Sequence, residues 1–177
     1  MRTCPALTLV VAMDQNHLIA TDHKIPWKLP DDVAHFRSVC AGKWLLVGRQ
    51  TYEEMDGWFQ PDQMPLILTS ACGYDPKPGR GVASVPQAMA LAASADQSEL
   101  VCIGGAQVFA AAFPEATRLL ITHVEHAFAP GKRPAYFPEV DPQVWDATST
   151  QVHPVDEHHA WPFRIIEYVR APRPSGV

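Results

Sequence analysis

The sequence predicts an α/β fold, a mostly parallel sheet flanked by helices and finished by a C-terminal antiparallel hairpin. Three observations lead there. Short, nearly continuous apolar runs recur along the chain, as strands covered on both faces require. Segments with helical spacing separate most of them, which is the alternation that builds a parallel sheet. The last two β-like runs instead flank a polar stretch at 153–159, and two strands joined that way read as a hairpin. The 177 residues, 47% hydrophobic and 19% charged, suit a single domain spanning 1–177 with a well-filled core, and they argue against disorder.

Residues 7–13 form the first predicted strand, followed by a polar loop that holds Asn16, Asp22, His23 and Lys24. That loop ends in Ile25-Pro26-Trp27-Lys28-Leu29-Pro30. A helix is expected over 31–40, where Val33, Phe36 and Cys40 recur at helical spacing and acids occupy the first turn. Residues 44–48 read as a short buried strand feeding a helix at 49–55, and 66–69 and 81–84 as further strands. An alanine-rich helix over 87–95 is opened by Pro86, a residue suited to the start of a helix. A strand at 100–103 ends in Gly104-Gly105, with a helix at 106–113 stopped by Pro114. The strand at 118–124 and the two runs of the hairpin complete the set, and the tail at 171–177 is expected to fray.

Several classes are excluded at once. A net charge of −5 and a pI near 5.9 do not suit a nucleic-acid binder, because phosphates want a basic face. No apolar run approaches the roughly 18 residues of a membrane span. The first residues offer no small-residue cleavage site, so a strand rather than a signal peptide is expected there. The four cysteines, Cys4, Cys40, Cys72 and Cys102, lie far apart without a metal-ligand or disulfide pattern and read as free thiols of a cytoplasmic protein. The seventeen prolines are roughly twice the usual share of about 5% and punctuate the apolar runs.

Two strand–glycine–helix turns are candidates for phosphate contact. In Val47-Gly48-Arg49-Gln50-Thr51 and in Ile103-Gly104-Gly105-Ala106-Gln107 a buried strand ends in glycine and a helix begins, where open α/β sheets bind ligands. Glycine allows the backbone to approach a pyrophosphate closely. Neither turn is a GxGxxG or a GxxxxGK[ST]. As a pair they can grip opposite ends of a dinucleotide, with Arg49 facing a 2′-phosphate. Taken singly, a glycine at such a turn is more often just a turn.

Asp31-Asp32 opens the next question. Both acids can simply complement a helix N-terminus and face water. Asp32, however, shares the side of Phe36, four residues on, which places it at the edge of the core while Asp31 points outward. A carboxylate in a mostly apolar cleft has a raised pKa and can hold an N–C–N edge of a nitrogen heterocycle with two hydrogen bonds. Pro26 and Pro30 stiffen the segment around Trp27 that leads into this helix.

A strand ending in Val11-Ala12-Met13, then P-W-x-L-P-x-D (Pro26 to Asp32), then G-R-x-T (Gly48 to Thr51), then I-G-G (Ile103 to Gly105), in this order, resembles dihydrofolate reductase over roughly 6–170. The resemblance implies an eight-stranded central sheet, NADPH as cofactor, and reduction of 7,8-dihydrofolate by hydride transfer to C6 with protonation at N5. It implies that Asp32 binds the pterin ring and promotes that protonation, and that Trp27 supports it through a water. Val10, Val11, Ala12, Val33, Phe36, Met55, Ile103 and Thr122 correspond to the substrate pocket. Ala12, Ile19, Gly48, Arg49, Gln50, Thr51, Thr69, Ser70, Ile103, Gly104, Gly105, Ala106, Gln107, Val108 and Phe109 correspond to cofactor contacts. The loop at 16–25 matches a mobile loop that closes over the nicotinamide, and the Gly-Gly peptide is cis in that family. Implied partners are dihydrofolate and antifolate-type small molecules, with no metal, nucleic acid or membrane, for a cytoplasmic monomer. The same fold also serves reductases of other pterins or pyrimidines, and a non-catalytic NADPH-binding module is a further alternative.

The chain departs from that family at several positions. Gln63 stands where an arginine usually grips the carboxylate of the folate tail, with Asp62 beside it, and a neutral amide cannot form that charged pair. Gln107 stands in place of a phosphate-binding arginine, Ala20 in place of glycine, Ile25 in place of Met or Leu, and Phe109 in place of tyrosine. His153, Asp156, Glu157, His158 and His159 have metal-ligand chemistry, but their position predicts a solvated hairpin tip. The Pro/Gly-rich basic segment at 129–134 reads as a surface loop.

Overall fold

The computed structural model describes residues 4–172. The strands are β1 (Ala6–Met13), β2 (Leu18–Thr21), β3 (Trp44–Gly48), β4 (Met64–Leu68), β5 (Arg80–Val82), β6 (Glu99–Gly104), β7 (Arg118–Val124), β8 (Pro134–Tyr136), β9 (Trp145–His153) and β10 (Phe163–Arg170). The helices are α1 (Pro30–Cys40), α2 (Arg49–Glu54), α3 (Val85–Ser94) and α4 (Ala106–Ala112). Eight strands form one sheet in the order β5-β4-β3-β6-β1-β7-β10-β9. All neighbours are parallel except the last two pairs, where β10 runs antiparallel to β7 and to β9. The expected architecture, eight strands and C-terminal hairpin, is the one observed.

Strand β1 sits near the middle, between β6 and β7, and its alternation shows why its sequence is apolar throughout. Leu7, Leu9, Val11 and Met13 join a layer with Val85, Ala88 and Ala92 of α3 and Val108, Phe109 and Ala112 of α4. Val10 faces the other side with Cys40, Leu45, Val47, Ile67, Val101, Ile103 and Leu120, under Phe36 and Val39 of α1. Helix α1 follows β1 and leads to β3 on one side, whereas α4 follows β6 and leads to β7 on the other. Right-handed crossovers running in opposite directions place their helices on opposite faces. The carboxyl ends of β1 and β6 therefore border a crevice at a topological switch point, the usual ligand position in such sheets.

Three expectations need correction. The loop after β1 and the segment at 129–134 are not wholly loop: β2 and β8 pair antiparallel, Leu18 with Tyr136 and Thr21 with Pro134. Such short strands carry too little apolar pattern to be read from sequence. Pro114 does not stop the backbone's winding, because a 3-10 turn over Phe113–Glu115 extends α4. Of the tail expected to fray, Ala171 donates its N–H to the Val144 carbonyl at 2.8 Å, while 173–177 lie outside the described residues. Among the described residues no helix is long and apolar enough to cross a membrane. All four cysteines are free, and burial pushes the Cys40 and Cys102 thiols up to about 12.

Candidate active site

The site begins at the first turn of α1. Trp27 and Leu29 are buried beside Val124, Phe163 and Ile165, and the Trp27 ring lies 5.3 Å from that of Phe128. This packing fixes the extended backbone of Leu29, which precedes Pro30 at the start of α1. Asp32 follows on the inner side of the helix, where the Thr122 hydroxyl of β7 donates to its Oδ1 at 2.6 Å. Burial raises the Asp32 carboxyl above its ordinary 3.8; the Thr122 bond and the charges of His35 and His153 oppose that shift without cancelling it. A carboxyl so placed holds or releases a proton nearer to neutral pH than a solvated one does. The inward Asp32 and outward, exposed Asp31 expected from the spacing are both observed.

Beyond Asp32 the crevice is apolar. Phe36, Tyr52, Met55, Trp58 and Phe59 pack over the layer that holds Val10 and Ile103. Phe36 and Trp58 rings lie 5.3 Å apart, as do those of Trp58 and Phe59. Val33 and Ile25 are 50% and 63% exposed, unusually open for large aliphatic side chains. Arg37, one turn after Val33, holds its guanidinium 5.9 Å from the centre of the Trp58 ring, a cation–π contact that keeps a charge at this end of α1. Gln63 is turned away from such a task. It is buried, its Oε1 accepting from the Gln60 N–H at 2.8 Å and its Nε2 donating to the Cys40 carbonyl at 3.0 Å.

The two glycine turns lie side by side. Val47 of β3 is in register with Gly104 of β6. A Cβ on Gly48 would stand 2.9 Å from Val108 Cγ2 and 3.7 Å from the Gly105 nitrogen. Gly104 has φ +105°, and a Cβ there would come within 2.8 Å of the Phe109 ring. The Gly104–Gly105 peptide is cis. A Cβ on Gly105 would meet the Thr51 hydroxyl at 3.1 Å. The turns thus make one continuous backbone floor, packed so closely on Val108, Phe109 and Thr51 that no side chain fits at the glycines. Around it, Arg49 pairs with Glu53 at 3.7 Å, and Gln50 Nε2 donates to Glu54 at 3.1 Å and contacts His23 Nδ1 at 2.8 Å. The Thr69 hydroxyl accepts from the Ala71 N–H at 3.1 Å; Ser70 and Gln107 are exposed and Ala106 half-buried.

Not every expected residue presents its side chain here. Val11, Ile19, Val108 and Phe109 belong to the layer on the far side of the sheet from α1. Val11 alternates with Val10 and Ala12, so only its backbone is available on the α1 side. The Phe109 ring stacks edge-on against Phe137 at 5.2 Å and supports Gly104 from below.

The 153–159 stretch is not a wholly solvated tip. His159 is only 2% exposed and lies against Phe163, ring centres 5.5 Å apart. No group of three or more His, Cys, Asp or Glu among the described residues could hold a metal ion. The sequence reading also missed Asp14. Its buried carboxylate accepts the N–H groups of Asn16 and Leu18 at 2.7 and 2.9 Å through Oδ1 and that of Phe128 at 2.9 Å through Oδ2. It ties the loop after β1 to the segment before β8. Its place just after an apolar strand was the one available signal.

Comparison with known proteins agrees with this geometry. The family model described as dihydrofolate reductase matches residues 6–170. A dihydrofolate reductase of Bacillus subtilis is 32% identical over 162 residues, covering 92% of this chain and 93% of that protein. A type 3 dihydrofolate reductase of Salmonella typhimurium is 30% identical over 165 residues, covering 93% and 98%. Among solved structures, the Enterococcus faecalis dihydrofolate reductase complexed with NADP(H) and RAB-propyl superposes with a TM-score of 0.83 at 29% identity, over 94% of this chain and 97% of that one.

Proposed function

This chain belongs to the dihydrofolate reductase family, and on that premise we propose how its residues divide the work of reducing dihydrofolate with NADPH. The reading rests on one observation above all: a buried carboxyl with a raised pKa, bonded to Thr122, borders an apolar crevice at the carboxyl ends of the strands. A reduction that adds hydride to a C=N bond also needs a proton on nitrogen, and Asp32 is the acid suited to promote it.

NADPH is placed along the floor made by Gly48, Gly104 and Gly105, at the carboxyl ends of the neighbouring strands β3 and β6, and when bound it would supply the hydride delivered to C6. Arg49, Gln50, Thr51, Thr69, Ser70 and Gln107 border that floor and hold the phosphates and adenosine, with Arg49 as the residue facing a 2′-phosphate. Ala12, Ile19, Ile103, Ala106, Val108 and Phe109 shape the nicotinamide end, the last two by supporting the glycines.

Asp32 orients the pterin through two hydrogen bonds to its N–C–N edge, and Thr122 holds the carboxyl in place for that contact. Trp27 fixes the start of α1 and shields the acid. Val10, Val33, Phe36, Met55 and Ile103 exclude water around the ring, which strengthens the few polar contacts there. The loop at 16–25 closes the nicotinamide side. Because both ends of the Gln63 amide are engaged within the protein, the carboxylate of the substrate's tail falls to Arg37, poised over Trp58. We place the protein in the cytoplasm, which its free thiols suit, and take it to work as a monomer, which its net charge of −5 suits.

The decisive experiment follows loss of NADPH absorbance with dihydrofolate for the wild type and Asp32→Asn. Turnover that falls by about 10²–10⁴ in the variant supports the assignment of the acid. NADPH binding without turnover of dihydrofolate, but with turnover of a pterin lacking the tail, would move the substrate to another pterin.

A further inference from the structure

The helix that carries Asp32 has no cap of its own. Leu29 stands at the N-cap position, where Ser, Thr, Asp or Asn would accept a hydrogen bond from the first turn, and no side chain of the N-cap does so. Leu29 cannot be exchanged for a polar cap cheaply, because it is buried beside Trp27 and Phe163. Pro30 removes one N–H from the first turn, and the Val33 N–H reaches the Leu29 carbonyl at 3.1 Å. The Asp31 N–H finds its partner 128 residues away in sequence: it donates to His159 Nε2 at 3.1 Å.

That bond settles the chemistry of the imidazole. A ring nitrogen that accepts carries no proton, so the ring proton sits on Nδ1. Nδ1 lies 2.7 Å from Asp156 Oδ1 and donates to it. The same oxygen accepts the N–H groups of His158 and His159, each at 2.8 Å, so the carboxylate is itself fixed, and these bonds hold it below the ordinary carboxylate range. His159 is packed against Phe163, and the His153 ring stacks on the same phenyl ring at 4.4 Å. A line of groups, carboxylate to imidazole to peptide N–H, therefore runs from the β9–β10 connection to the residue next to Asp32.

We propose that His159 is a positioning residue for Asp32: a neutral imidazole, its tautomer set by Asp156, caps the first turn of α1 and holds the acid inward against Thr122. This rests on the assignment of Asp32 made above. The titratable groups around the arrangement are Asp31, whose Oδ2 lies 3.9 Å from His159 Nε2 and 3.8 Å from His153 Nδ1, Asp156 on the hairpin connection, and His35 and His153, which act on Asp32. Without the cap the first turn frays, Asp32 gains solvent, and the burial that raises its pKa weakens.

The test compares His159→Ala, His159→Gln and Asp156→Ala in the full chain. Gln at 159 reaches as far as the imidazole and keeps an acceptor. Three quantities are read: exchange of the Asp31 amide hydrogen by NMR in the ligand-free protein, KM for dihydrofolate, and the pH midpoint of single-turnover hydride transfer. His159→Ala is expected to lose protection of the Asp31 amide, to raise KM about tenfold, to lower the pH midpoint, and to leave NADPH affinity unchanged. His159→Gln is expected to restore all three quantities most of the way. If His159→Ala fails to fold, seen as lost NADPH binding, Asp156→Ala carries the test, since it leaves the imidazole on Phe163, and the same changes are expected. A protected Asp31 amide in His159→Ala, or a Gln variant as damaged as Ala, overturns the proposal. The amide exchange needs no substrate, so absent turnover in the wild type would sink the reading of Asp32 while leaving the cap to be judged separately.

Discussion

Replacing Gln63 with arginine sets a loss of stability, whose sign the structure fixes, against an expected gain in affinity. The Gln63 amide accepts from the Gln60 N–H at 2.8 Å and donates to the Cys40 carbonyl at 3.0 Å from a site only 8% exposed. A guanidinium can take over the second bond but has no acceptor for the first. The Gln60 N–H loses its side-chain acceptor, and because Gln60 is exposed and water can replace it, the cost is about 0.5–1.5 kcal/mol. The cost of burying a charge drives the rest of the guanidinium outward. If it reaches the substrate's tail carboxylate, a charge-assisted bond contributes about 1.5–3 kcal/mol, or roughly ten- to a hundredfold in KM. The assays are urea unfolding and steady-state kinetics with dihydrofolate and with a dihydropterin lacking the tail. The expected result is lower stability, a lower KM for dihydrofolate alone, and kcat nearly unchanged. An equal fall in KM for the tail-less pterin, or unchanged stability, would refute the reasoning.

Arg37→Ala should raise KM for dihydrofolate about tenfold at similar kcat and leave the tail-less pterin unaffected; equal effects on both substrates would mean that Arg37 acts through Trp58 packing. Asp32→Asn should melt at a higher temperature than wild type at pH 7. Burial raises the Asp32 carboxyl above 3.8, so wild-type stability falls as pH rises through 3.8 toward the folded-state value, and the advantage of Asn should vanish in melts below pH 3.8. Glu99 behaves oppositely: burial pushes its carboxyl up, but the Thr8 hydroxyl, Lys43 and Arg118 outweigh that and hold it below 4.5. The stability it contributes is present above pH 4.5 and lost as pH falls through the folded-state value, so Glu99→Gln and wild type should converge in acid urea titrations. Gly104→Ala, at φ +105° with Phe109 2.8 Å from its Cβ, should destabilise by about 1–3 kcal/mol more than Gly73→Ala, at φ +74° with nothing within 4 Å; equal urea midpoints would mean that the Phe109 ring yields freely.

The sheet was legible because its signals are local. Residues 44–48 form a short apolar run and 118–124 a run of alternating character, and both coincide with observed strands. Residues 31–40 carry helical spacing and an acidic first turn, and α1 differs only by beginning at Pro30. The pairing of β2 with β8 was not legible, for two reasons. Leu18–Thr21 and Pro134–Tyr136 are too short to show a period, and what fixes them is distant: the Asp14 carboxylate bonded to the Phe128 N–H and the Thr21 hydroxyl donating to the Pro130 carbonyl at 2.8 Å. The two glycine turns were legible one by one, but not their closeness, which comes from β3 and β6 being neighbours, because sequence gives the ends of strands and not their order in the sheet.

The same division runs through the active site. Asp32 could be found because an acid on the apolar side of a helix breaks a local pattern. What keeps it there has no local signature. Thr122 lies 90 residues away and His159 128 from the peptide it caps, and between them they anchor a helix start whose own N-cap residue is an apolar side chain committed to the core. A buried carboxyl with a raised pKa favours exposure of its charged form, and a fraying first turn is the easiest route to that exposure. The position that makes Asp32 useful as an acid therefore also makes it unstable in place. A cap supplied from the β9–β10 connection resists that escape without adding a second charge to the crevice, which a capping aspartate at position 29 would do. On this argument the 153–159 stretch, which as sequence reads only as a solvated hairpin tip, is where the fold restrains the acid proposed to act on the substrate.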